Sequence, residues 1–360
     1  MTDTDTGALT VGVVGLGGIG RVHAGNAVAA GHDVVGADPS SGARERFAAE
    51  FDATTHASHD ALVAAGPDAV VVAAPNAAHE APAVAALDAG VPTLVEKPLA
   101  HDLAAAERIA AAARASTAPA AVGFQHRFAP AVELVDAYRR EGRFGDVRHV
   151  EAEYVRRRGV PSLGSWFTDR ERAGGGAVVD LGVHALDAAL HCMGHPGIAE
   201  ASAVTRSLFG ADPGYADPDG WATMRGETDS REFDVEDSAT AFLRCADGRS
   251  LVLEAAWALD RPDGSTVRLQ GTTAGAAFDL LDEGVVVRDA ARTGRDHYRD
   301  QRLETEAVDR RNALLAAFLR VAAGGEEPAL ATVEDALAVQ RAVDAVYRSA
   351  EAGAAVRLDD

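Results

Sequence analysis

Lysine is almost missing from this 360-residue chain: Lys97 is the one lysine, and every other side chain among the 34 Lys plus Arg is arginine. A chain that excludes lysine elsewhere yet keeps it here points to a position where a compact ammonium does something a guanidinium cannot. Compositional drift toward arginine with one chance survivor is the plainer alternative. Cysteine is nearly as scarce. Cys192 and Cys245 lie far apart and match no disulfide or metal framework, which excludes a disulfide scaffold, fits a reducing compartment and makes both read as buried thiols. No run approaches the roughly 20 apolar residues that cross a bilayer, which excludes a membrane-spanning helix. Met1–Thr10 is acidic and polar, without the basic and apolar regions of an export signal, so the expected location is cytoplasmic. Positive charge is in deficit as well: 55 Asp plus Glu against 34 Lys plus Arg give a formal charge of −21, which repels phosphate backbones and anionic lipid and excludes nucleic acid and membrane surfaces as partners. The same acidic surplus, with lysine avoided, matches proteins that work in concentrated salt, where screening relieves self-repulsion; that is our hypothesis for the surface.

What is present is enough to fold. At roughly 150 residues per domain the length suggests two domains. The first half alternates. Apolar Thr10–Val14 precedes Gly15-Leu16-Gly17-Gly18-Ile19-Gly20, a helix over 21–30 stopped by Gly31, and a second strand ending at Asp38. Further strands are predicted over 69–74, 92–96 and 120–124, with helices over 79–89 and 102–115 between them. Strands alternating with helices of this length predict a parallel doubly wound sheet, an α/β Rossmann domain over 1–124. After Phe124 the texture changes. Helices are predicted over 130–140 and 180–193, and strands over 147–157, 238–244, 250–258, 266–270, 275–280 and 284–288. Asp247-Gly248 marks a hairpin. Residues 125–360 therefore read as an α+β domain with a large, mostly antiparallel open sheet, 211–230 as a surface loop, and the helices near 309–322 and 333–350 as able to pack back on the first domain.

Three features carry chemistry. In the glycine turn, Gly15 allows the tight turn, Gly17 and Gly18 with Ile19 bring backbone to a pyrophosphate at the helix start, and Gly20 lets the helix pack on the strand. The strand before, the helix after and Asp38 at the next strand end favour dinucleotide binding over an empty glycine turn. The Asp38 carboxylate suits ribose hydroxyls and repels a 2′-phosphate, so NAD is expected and NADP is less favoured; Arg44, beside Ser40 and Ser41, is a group that could reach a phosphate instead. The second feature is Pro75-Asn76, then His79, and Glu96-Lys97-Pro98, each following a strand of the parallel sheet, where such sheets bind ligands. Pro75, Asn76, His79, Glu96 and Lys97 are thus cofactor-side candidates, and an X-Pro bond after Lys97 can be cis. An exposed ion pair for Glu96 and Lys97, and a helix-start polar group for His79, are the plainer alternatives.

The third feature is Gly174-Gly175-Gly176 followed by Asp180 and His184. Spaced i and i+4, these two fall on one helix face, and an imidazole near neutrality can take a hydroxyl proton as hydride leaves, with Asp180 orienting it or stabilising charge. An amphipathic helix with Asp180 capping its own start and His184 satisfied in the core is the competing reading. His184, His191, Cys192 and His195 match no standard zinc spacing, and no metal is expected.

These motifs in this order resemble the Gfo/Idh/MocA oxidoreductases, a family named for glucose-fructose oxidoreductase and inositol dehydrogenase, over nearly the whole chain. The resemblance implies that Lys97, Asp180 and His184 form the catalytic set and that the second-domain sheet makes dimer or tetramer contacts. It implies a small sugar or polyol substrate, an alcohol of a sugar, sugar derivative or inositol oxidised with NAD(P). Expected to face that substrate, besides the catalytic set, are His126, Arg127, Arg156, Arg158 and Trp166; pairing of the arginines with the acidic surface is the alternative. A noncatalytic NAD-binding sensor, or a glycosidase that uses NAD transiently for redox elimination, would share the fold.

Overall fold

The computed structural model describes residues 7–212, 214–223, 233–327 and 329–358. They form two compact units, Met1–Gln125 with Asp309–Leu337, and His126–Val308 with Ala338–Asp360. Residues Asp309–Leu337 thus group with the first unit, although they follow the second in sequence.

In the first unit, six parallel strands, β1 (Thr10–Val14), β2 (Asp33–Ala37), β3 (Thr55–His56), β4 (Ala69–Val72), β5 (Thr93–Val95) and β6 (Ala120–Val122), lie in the order β3-β2-β1-β4-β5-β6. Ala331–Thr332 pairs antiparallel on the β6 edge. All four residues of β4 are fully buried, as an uninterrupted apolar run requires when helices cover both faces of a parallel sheet. The strand order reverses between β1 and β4, so the loops after these two strands meet at the switch point where doubly wound sheets bind ligands. The first helix begins at Gly18, three residues earlier than the sequence predicts, because the glycine turn itself supplies its first turn; it runs to Ala29 and Gly31 leaves at φ 86°.

In the second unit, β7 (Val147–Val155), β8 (Ile198–Arg206), β9 (Ser238–Cys245), β10 (Ser250–Ala256), β11 (Thr266–Gly271), β12 (Gly275–Asp279), β13 (Gly284–Ala291) and β14 (His297–Glu304) form a sheet in the order β14-β13-β12-β11-β7-β10-β9-β8, with Val356–Arg357 beyond β8. Only β7 and β10 pair in parallel. The Asp247-Gly248 turn joins β9 to β10 as expected. Strands β8 and β14 are not legible in the sequence: β14, His-Tyr-Arg-Asp-Gln-Arg-Leu-Glu, is exposed at nearly every position and so carries no apolar alternation. The helix Val183–Cys192 is buried at all ten residues, against β7, β10 and β11. It is preceded by a π-helical turn, Val178–Gly182, where the sequence predicts a plain α-helix from 180. Of the loop predicted over 211–230, residues 213 and 224–230 lie outside the described residues. Cys192 and Cys245 are free and buried, and burial pushes the Cys245 thiol up to about 11. Among the described residues no helix is long and apolar enough to cross a membrane.

Candidate active site

In the first unit the switch point is shaped by glycines. Gly15 leaves β1 at φ 91°, and a Cβ on it would lie 2.6 to 2.7 Å from the backbone of Ala73 and Ala74 after β4. A Cβ on Gly20 would lie 1.9 Å from the Gly15 carbonyl oxygen. Gly17 and Gly18, in contrast, face open space and are exposed, and the helix starting there has no side-chain cap. Uncapped N–H groups beside open space, with no Cβ to block approach, fit a pyrophosphate. Asp38 ends β2, its carboxylate accepting from Leu16 N (3.0 Å) and Ser40 N (2.8 Å), which fixes it beside the glycine turn. Arg44 donates to the carbonyls of Asp38 and Pro39 at 2.7 and 2.9 Å; its guanidinium buttresses this turn.

Asn76 is buried and opens a short 3₁₀ turn after Pro75. His79 is 1% exposed, with ring nitrogens 2.9 Å from the Ala74 carbonyl and 3.0 Å from that of Pro98; burial pushes its pKa down against those carbonyls and the charge of Glu96. It therefore staples the loop after β4 to the loop after β5. The Glu96 carboxylate is likewise held by protein groups. Its Oε1 lies 2.7 Å from Nε2 of the fully buried His23, and its Oε2 accepts from Lys97 N at 3.1 Å. Burial opposes its ionisation, but the His23 hydrogen bond and the charges of His23 and Lys97 outweigh burial and hold the carboxyl below its ordinary value. Both oxygens are thus spent beneath the turn that carries Lys97, which is half-buried and followed by a cis peptide bond to Pro98.

In the second unit, Asp180 lies in the π-helical turn and His184 in the helix that continues it. π-turns inside helices recur at functional sites. Trp257, fully buried, donates its indole N–H to Asp180 Oδ2 at 2.9 Å. The His184 ring is 5% exposed and meets His126 edge-on, centroids 4.7 Å apart, with the Tyr154 ring at 6.2 Å. Tyr154 extends this cluster to Arg156, whose guanidinium lies 5.9 Å from it and 4.3 Å from the Trp221 ring. The structure thus brings His126, His184 and Arg156 into one aromatic and cationic cluster. Arg158 stands apart from it, donating to Asp260 at 2.6 Å and lying over Phe209; Trp166 is stacked on Phe167 at 4.0 Å.

Arg127, expected to face the substrate, is paired within the protein. It is 2% exposed, and its Nε and Nη2 both donate to Asp187 at 2.6 to 3.1 Å, so its charge is consumed in a buried fork that ties the chain after β6 to the helix Val183–Cys192. In the triple glycine, Gly175 and Gly176 are explained by close packing. A Cβ on Gly175 would lie 1.9 Å from the Tyr347 hydroxyl, and one on Gly176 would lie 1.9 Å from the Glu236 carbonyl oxygen, so these glycines make room for protein. Sequence reasoning missed Tyr154, Trp221, Glu236, Trp257 and Tyr347. Each acquires its place through partners far along the chain, and no local spacing marks them. Among the described residues no group of three or more His, Cys, Asp or Glu side chains is placed to hold a metal ion. His191 lies 3.4 Å from His195 and 3.6 Å from Asp136, within a network of hydrogen bonds and charges.

Residues 9–124 match the family model described as "Oxidoreductase family, NAD-binding Rossmann fold", and residues 132–277 match "GFO/IDH/MocA C-terminal domain". The chain is 32% identical over 350 residues to myo-inositol dehydrogenase Hyg17 of Streptomyces leeuwenhoekii, covering 96% of this chain and 98% of that one. It is 29% identical over 284 residues to D-glucoside 3-dehydrogenase of Escherichia coli strain K12, covering 78% and 76%. A structure of levoglucosan dehydrogenase in complex with NADH and L-sorbose superposes with a TM-score of 0.82 at 22% identity, over 98% of this chain and 99% of that one, a likeness of fold.

Proposed function

The chain belongs to the GFO/IDH/MocA family of oxidoreductases, with an NAD-binding Rossmann domain, and from that premise we propose that it oxidises a secondary alcohol of a sugar, sugar derivative or inositol. The observation that carries the reading is the presence, in one chain of this family, of a single lysine just after β5 together with an aspartate on a π-helical turn and a histidine in the helix that continues it. A noncatalytic dinucleotide sensor has no use for both.

When bound, the cofactor supplies a hydride acceptor at C4 of its nicotinamide. The backbone at Gly17, Gly18 and Ile19 holds the pyrophosphate and Asp38 the ribose hydroxyls, which selects NAD against a 2′-phosphate. Pro75 and Asn76, at the switch point, line the cofactor side. For the substrate, His184 is the group suited to take a hydroxyl proton on an imidazole nitrogen as the carbinol C–H bond breaks, and the Lys97 ammonium is the group suited to stabilise negative charge developing on oxygen. Asp180, anchored by the Trp257 indole, offers a carboxylate to the imidazolium that forms. His126, Arg156 and Arg158 supply donors, and Trp166 an apolar face, for the remaining hydroxyls and ring of the sugar. We assign the protein to the cytoplasm and expect a homodimer or homotetramer, which light scattering reads.

The test is a panel of sugars and inositols with NAD and, separately, NADP, followed at 340 nm. Accumulation of NADH with at least one polyol supports the proposal. No absorbance change with any of them, at low or molar salt, overturns it, and turnover without net NADH would instead favour the redox-elimination chemistry.

A further inference from the structure

We infer that Glu236 and Tyr347 are positioning residues: together they clamp the backbone at Gly176 and Val178 and so fix the π-helical turn that carries Asp180 and leads into His184. The inference rests on the reading above that Asp180 and His184 serve the reaction.

Glu236 is 3% exposed, and among the described residues backbone N–H groups and a phenol hold its carboxylate in place. Its Oε1 accepts from Gly176 N and Val178 N, both at 3.0 Å, and from the Tyr347 hydroxyl at 2.9 Å, while Oε2 accepts from Gly176 N at 3.0 Å. Its own carbonyl accepts from Ala177 N at 3.2 Å. Three successive N–H groups at the start of the turn, which have no partner within a helix, are therefore all taken by one residue. Among the described residues no other side chain caps this turn. A buried carboxylate at a helix start also opposes the positive end of the helix dipole.

The contact is so close that the sequence must be glycine to allow it: side chains at 175 and 176 would collide with Tyr347 and with Glu236. The clamp then passes directly to a candidate catalytic group, because Asp180 N donates to the carbonyl of Gly176 at 3.0 Å. Trp257, which holds the Asp180 carboxylate, is fixed from the same strand of chain, its backbone N donating to Asp237 O at 2.8 Å. Backbone and side chain of Asp180 are thus both referred to Glu236-Asp237. Tyr347 comes from the C-terminal helix Val333–Ala352, 111 residues beyond Glu236, with the Arg170 guanidinium 5.9 Å from its ring. A shift of this helix would reach Asp180 through three hydrogen bonds, Tyr347 to Glu236, Gly176 N to Glu236 and Asp180 N to Gly176 O.

Glu236→Gln retains one acceptor oxygen and loses the charge; Tyr347→Phe loses only the hydroxyl. Both are read by amide exchange in the protein without added NAD, and by kcat and KM for the best polyol found. Exchange at Gly176 and Val178 should quicken by about tenfold or more, the size expected when a hydrogen bond to a charged acceptor is weakened, and the change should be confined to 174–182. The variants should lower kcat by about tenfold while KM for NAD stays within twofold. Unchanged exchange in both variants overturns the clamp, and exchange that quickens equally in the helix Pro130–Arg140 shows general destabilisation and overturns it too. Quickened local exchange with unaltered kcat overturns the positioning role. Full activity in His184→Gln removes the catalytic reading beneath the inference, and with it the positioning role; the exchange data then stand as a separate measure of the contact.

Discussion

The indole N–H of Trp257 donates to Asp180 Oδ2 at 2.9 Å across 77 residues of sequence, and the tryptophan that makes this bond is wholly buried. A buried indole without a partner is costly, so each side chain fixes the other. Trp257→Phe keeps most of the ring volume and removes the donor. We expect kcat to fall about tenfold to a hundredfold, the worth of a hydrogen bond to a charged group. A variant with wild-type kcat would show that Asp180 needs no anchoring for catalysis.

Lys97→Arg preserves charge and changes shape. Because a guanidinium is planar and longer, it cannot place a single donor where the ammonium does, and kcat is expected to drop by at least about a hundredfold with cofactor affinity retained. NAD binding by fluorescence, set beside kcat, checks both halves. Retention of full activity would remove Lys97 from the mechanism.

Arg127 and Asp187 are 2% and 1% exposed at their side chains. Arg127→Met strands a buried carboxylate and should cost roughly 3 to 5 kcal/mol in urea unfolding. Replacing both, Arg127→Met with Asp187→Leu, should recover most of that loss. If the double variant is no more stable than the single one, the cost lies in packing and not in the orphaned charge.

His191 is held down to about 4, chiefly by burial and then by the Arg127 charge. Its folded pKa lies below the unfolded value, so the unfolded chain binds the extra proton first. Stability from this group is present above about pH 6.5 and is lost as pH falls toward 4, by about 3 kcal/mol at most. His191→Gln should flatten the acid limb of stability against pH. An acid limb of the same steepness in that variant assigns the loss to other groups.

A formal charge of −21 leads to a salt prediction. The thermal midpoint should rise between dilute buffer and molar KCl as self-repulsion is screened. Equal midpoints would end the proposal that the surface is adapted to salt.

The sequence alone determined the features that depend on local backbone chemistry. Gly15 to Gly20 between a strand and a helix, Asp38 after the next strand, the apolar strand expected over 69–74 and found at Ala69–Val72, and the Asp247-Gly248 turn are each decided within a few residues, by steric freedom and side-chain period. Tertiary structure decided what the polar residues do. Glu96 faces His23 from 73 positions away, Arg127 faces Asp187 from 60, and Glu236 meets Tyr347 from 111. A buried polar group must find a partner, but which partner is set by how sheets and helices pack, and no spacing along the chain encodes it. That is why the glycines at 175 and 176 stand out in the sequence while the carboxylate and phenol that require them do not.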